Sequence, residues 1–88
     1  ESMEEGLSNT VWTGTGTKTF KSDTKGYVLL AFPTDKAKNL VIYDLNDFEV
    51  TWYTKEMTVV NSYGKSINYT VYQSPSASTE FTFKFKFN

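Results

Sequence analysis

The chain has 88 residues, a formal net charge of −1, and neither cysteine nor histidine. That length suits one domain around one core, and the missing residue types exclude disulfides, thiolate metal sites, thiol nucleophiles and the usual general base. All nine cationic side chains are lysines, which argues against bidentate recognition of phosphate or carboxylate, and the near-neutral balance lacks the attraction that nucleic-acid binding draws on.

The chain opens on a polar stretch, ESMEEGLSN, beginning with Glu1 rather than Met. This implies that something upstream was removed. Residues 1–8 read as a polar N-terminal tether and 9–88 as a single domain. Such a tether suits a chain leading away from an export signal or a lipid-modified residue, and equally suits a cloning remnant with a frayed end. Only residues 2–8 offer a helical turn. No run reaches the ~18 apolar residues of a membrane span.

The segment VWTGTGTKTF (11–20) carries threonine at every second position with Gly14 and Gly16 opposite, so a first strand that bends near these glycines and divides in two is expected. Apolar runs follow at YVLLAF (27–32), NLVIY (39–43) and MTVV (57–60), and they read as strands covered on both sides or lying at an edge. Strict alternation marks three further strands. In FEVTWY (48–53) Phe48, Val50 and Trp52 share a face, in INYTVY (67–72) Ile67, Tyr69 and Val71 do, and in FTFKFKF (81–87) the four phenylalanines do. Ordering a chain this short requires most of its fifteen aromatic residues in the core, so Phe81, Phe83, Phe85 and Phe87 read as an inner wall with Lys84 and Lys86 outside.

Between these runs lie SDTKG, PTDKAKN, DLND, TKE, NSYGKS and SPSAS, all rich in turn-forming residues. Connections so short hold hairpins rather than crossover helices. The expected fold is therefore all-β: an antiparallel up-and-down meander of seven or eight short strands, closing into a small barrel that leaves no free edge. The lysines of KFKFN guard against edge pairing, and favour closure of the last strand against 11–20.

The segment L-S-N-T-V-W-T-G-T (Leu7 to Thr15), a tryptophan on the first strand of a meander, resembles the small lipocalin-like barrels of exported Bacteroidetes lipoproteins. The resemblance implies that Trp12 packs across the closed end of the barrel. It also implies a location in the cell envelope or outside the cell, with a lipid anchor upstream. The position two residues before the tryptophan, glycine in that family, is Thr10 here.

Other chemical readings fail on residue type. KGYVLLAF (25–32) overlaps an RNA-recognition signature, but Leu29 stands where a base-stacking aromatic is needed and no accompanying helices are present. DLND offers oxygen ligands without the later acidic positions of a calcium loop, so Asp44, Asn46 and Asp47 read as a hairpin turn. Asp35, Asp44, Asp47, Glu49, Glu56 and Glu80 are scattered over turns, with no pairing that suggests acid–base catalysis. Asn68-Tyr69-Thr70 fits a glycosylation sequon, which matters only in a eukaryotic secretory setting.

The expected function is therefore non-catalytic, with no cofactor, no metal and no nucleic acid. In one form a small apolar or amphipathic ligand sits at the open end of the barrel against Trp52, Tyr69 and Phe83. In the other the core is filled, and an edge strand or a tyrosine-bearing face pairs with a protein partner; Tyr43, Tyr53, Tyr63 and Tyr72 are the tyrosines to watch.

Overall fold

A computed structural model describes residues 2 to 5, 12 and 14 to 88. The elements are β1 (Ser2–Glu5), β2 (Thr15–Pro33), α1 (Thr34–Ala37), β3 (Leu40–Tyr43), β4 (Tyr53–Val60), β5 (Ser66–Gln73) and β6 (Ser78–Phe87). Five strands form one antiparallel sheet that curls into a half-barrel, in the order β3-β6-β2-β5-β4, and β1 lies parallel to β2 at Tyr27–Leu30. At residues 2–5 of the stretch that offers a helical turn there is thus a strand, residues 6–8 lying outside the described residues, and a helix lies at 34–37, just after Pro33 ends β2.

The up-and-down order gives way to a non-sequential one. The cause is SDTKG, which does not turn. Lys21 pairs with Glu80 and Gly26 with Ser78, so residues 22–25 bulge against a single residue of β6 and the strand runs on. β2 then serves two neighbours in succession: Thr15–Lys21 pairs with β6, and Leu29–Pro33 pairs with β5. Turn composition is satisfied by the bulge because Asp23, Thr24 and Lys25 stay exposed. The bend expected near Gly14 and Gly16 falls at Gly14, and residues 11 and 13 of the expected first strand lie outside the described residues. Gly14 takes φ 64° just before β2 starts, while at Gly16 a Cβ would lie 2.9 Å from the ring of Phe85, so the glycine admits that ring.

The pairing of β6 with Thr15–Lys21 agrees with the expectation for the last strand. Phe83 and Phe85 are buried, Phe81 and Phe87 pack half-buried against them, and the alternate residues face outward. Opposite them on β2 stand Phe20, Lys18 and Gly16, with the Lys18 ammonium 4.9 Å above the Trp12 ring. The other half of the inner face is Val28, Leu30 and Phe32, and Ala37 of α1 closes over it. The Tyr72 hydroxyl donates to the Ala37 carbonyl at 3.2 Å. Burial raises the Tyr72 pKa above its ordinary value. The unfolded chain therefore loses that proton first as pH rises through the tyrosine range, and this contribution to stability falls there.

The segment FEVTWY is not one strand. Asp44 accepts from the amides of Asn46 and Phe48 at 2.8 and 3.0 Å, Asp47 takes φ 66°, and Tyr43 bridges to Glu49. DLND is thus a hairpin turn, as its residue types suggest. Phe48 is left exposed, while Val50 and Trp52 turn into the core. β4 begins after it and absorbs the expected turn TKE.

Ser74 is fully buried at the junction after β5. Its Oγ accepts from Val28 N–H at 2.9 Å and donates to the Ser76 carbonyl at 3.1 Å. Ser74→Ala leaves a buried donor on β2 unpaired and is expected to cost about 1–3 kcal/mol, read as a lower urea midpoint with an unchanged slope.

Candidate functional site

The concave side of the half-barrel is packed with rings. Trp12 lies 4.9 Å from Phe85 and 5.3 Å from Phe32, and Phe20 stacks on Phe83 at 5.9 Å with an interplanar angle of 11°. Two of the three residues proposed to line a ligand site belong to this cluster: Trp52 meets Phe83 edge-to-face at 4.9 Å and Phe81 at 5.6 Å. Phe83 is 1% and Trp52 5% exposed. Neither Trp12 nor Trp52 has a partner for its indole N–H among the described residues.

Tyr69 goes elsewhere. β5 registers Leu30 against Tyr72 and Phe32 against Thr70, which puts Tyr72 and Thr70 on the core face, and Ile67, Tyr69 and Val71 on the outer face. β4 continues the outer row, with Val59 opposite Ile67, Met57 opposite Tyr69 and Lys55 opposite Val71. On β2 the same face carries Leu29, Ala31 and Pro33. In the hairpin β4–β5 the apolar row of β5 therefore faces outward, and the core-side row is Thr54, Glu56, Thr58 and Val60 of β4 with Asn68, Thr70 and Tyr72 of β5, of which Tyr72 packs against the core. No local signal reveals this, because a two-residue period has two equivalent faces and only the register with β2 selects one.

β4 is also the end of the sheet, and all eight of its residues are exposed. The turn that precedes β5 sets which backbone groups are free. Asn61 N–H donates to the Lys65 carbonyl, Gly64 N–H donates to the Asn61 carbonyl, and Gly64 takes φ 76°, a three-residue loop closed by a glycine bulge. Since Asn61 and Lys65 exchange the first bond, Tyr53, Lys55, Met57 and Val59 bond to β5. Thr54, Glu56, Thr58 and Val60 turn their N–H and C=O groups to the open edge.

A second surface lies outside β2, β6 and β3. Thr15, Thr17, Tyr43, Asp47, Lys84 and Lys86 line a shallow groove of about 340 Å³, in which Lys84 donates to the Asp47 carboxylate at 2.9 Å. None of Trp52, Tyr69 and Phe83 lines it. Of the four tyrosines to watch, Tyr43 borders this groove, Tyr72 belongs to the core side, and Tyr53 and Tyr63 are well exposed. Among the described residues no three acidic side chains converge as metal ligands, and no helix is long and apolar enough to cross a membrane.

No protein-family model matches the chain, and no curated protein or solved structure matches it at a significant level.

Proposed function

We infer that this domain is a non-catalytic interaction module with a filled interior, working through the outer face and free edge of the β4–β5 hairpin. The observation that carries the reading is the outward-facing apolar row of the hairpin. Ile67, Tyr69 and Val71 are only half-buried, and Met57 and Val59 are 41% and 37% exposed. A contiguous apolar row of this kind on a small domain marks a contact surface. It adjoins an edge whose backbone groups have no partner strand among the described residues, the combination used when a strand of another chain is added to a sheet.

The ligand-holding form, a lipocalin-like closed barrel of seven or eight strands exported to the cell envelope, draws support from Trp12, which packs into the aromatic core as a first-strand tryptophan of that family would. It requires β3 and β4 to meet, and space beside Trp52 and Phe83 where rings now touch. Native mass spectrometry of protein purified from a bacterial host without denaturation separates the two. The expected spectrum contains the mass of the chain or of a dimer of it, with no added small mass. A retained small molecule would sink the filled-core reading and return Trp52 and Phe83 to a ligand site.

A further inference from the structure

The geometry points to a second copy of this chain as the occupant of the β4 edge, joined antiparallel about a two-fold axis through Thr58. This rests on the interaction reading above and names its partner. An axis perpendicular to the sheet keeps outer face beside outer face, so a residue n on the axis pairs with itself and n+1 pairs with n−1 of the other copy. Each candidate register is then a definite list of neighbours.

Centring on Lys55 sets lysine against lysine, and centring on Glu56 sets glutamate against glutamate; directly opposed like charges destabilise a strand pair. Centring on Met57 leaves the two Glu56 side chains diagonal to one another at about 7–8 Å, with Lys55 opposite Val59. Centring on Val59 shortens the overlap to residues 57–61.

The register on Thr58 brings no like charges opposite or diagonal to one another and keeps the longer overlap, residues 55–61. Met57 lies opposite Val59 of the other copy and Val59 opposite Met57, so the outer apolar rows of both hairpins join. Lys55 meets Asn61, and Glu56 lies along Val60, which is 62% exposed in the single chain. The two Thr58 side chains lie opposite each other without opposing charges; each hydroxyl donates to Asn68 Oδ1 at 2.9 Å within its own hairpin, and one of the two must give up that bond for the pair to hydrogen-bond across the axis. The hydrogen-bonding phase agrees as well. Thr58 with Thr58 and Glu56 with Val60 are pairs of even-numbered residues, the ones whose backbone groups face the open edge. Two half-barrels would thereby share one continuous sheet of ten antiparallel strands, five from each copy.

Sedimentation equilibrium of the purified chain, over a concentration series reaching millimolar, tests this directly. A monomer–dimer equilibrium is expected, and Thr58→Lys should weaken it by about fivefold or more through the lysine pair it creates on the axis. The side chain is exposed, so circular dichroism should be unchanged. The chain has no cysteine, which permits a register-specific check. Thr58→Cys should oxidise to a disulfide-linked dimer, because hydrogen-bonded pairs hold their Cα atoms at about 5.5 Å, and Met57→Cys, diagonal to its counterpart, should link more slowly. A monomer at every concentration overturns the proposal, as does a dimer indifferent to Thr58→Lys or one that Met57→Cys links faster. A monomer with a ligand-free native mass removes only the self-pairing, whereas a retained small molecule strikes the interaction reading itself.

Discussion

Replacing Phe83 by alanine is expected to remove about 3–5 kcal/mol of folding stability. Phe83 is 1% exposed and touches rings on four sides: Trp12 at 6.1 Å, Phe20 at 5.9 Å, Trp52 at 4.9 Å and Phe81 at 6.1 Å. These neighbours come from β2, from β6 itself and from the segments before β2 and β4, so collapse into the gap would require several elements to move together. A domain of this size commonly has only about 5–15 kcal/mol in hand, so the variant should be partly unfolded near physiological temperature. Urea titration is the measurement, with the midpoint falling at constant slope. A loss below about 1 kcal/mol would mean that the ring lines a space rather than filling one.

Trp52→Ala is expected to cost a similar amount, about 3–5 kcal/mol, and Trp52→Phe distinctly less. The difference has a specific cause. The Trp52 indole N–H is buried without a partner among the described residues, and a buried unpaired donor carries a penalty of about 1–3 kcal/mol. Phenylalanine keeps much of the edge-to-face packing on Phe81 and Phe83 while deleting that donor. Parallel urea titrations of the two variants check the ranking. Fluorescence supplies a second reading: Trp12 and Trp52 are both buried, so quenching by acrylamide should be weak for each and should rise together on unfolding. Quenching of Trp52 alone in the native protein would place it at an open mouth.

Much of the local structure was legible from residue order. Alternation in FTFKFKF predicted a strand with phenylalanine inside and lysine outside, and the strand is there with Phe83 and Phe85 buried. DLND and NSYGKS read as turns because Asp and Asn side chains bond to nearby amides, and Asp44 and Asn61 each accept two such bonds. The pairing of the last strand with the segment at 15–20 was legible too, since the lysines alternating in KFKFN argue against an open edge there.

Other features were not. SDTKG has the composition of a hairpin turn, yet extended pairing on both sides draws it into a bulge, because its fate depends on β5 and β6, some fifty residues later in the chain. Phe48 shares the alternation of Val50 and Trp52 but lies outside the core, since the turn at Asp44 ends the ladder before it. Tyr69 was placed with Trp52 and Phe83 on pattern alone, and lies on the opposite side of the sheet.

By itself, then, the sequence determined the all-β class, the inner wall of the last strand, the turns made by Asp44 and Asn61, and the absence of thiol and imidazole chemistry, because these follow from residue type and a two-residue period. Only the tertiary structure decided the strand order and the face that each alternating strand presents. A period of two describes both faces equally well, and the choice between them is made by one long-range register, Leu30 against Tyr72, which turns the apolar row of β5 outward and leaves β4 as the end of the sheet among the described residues.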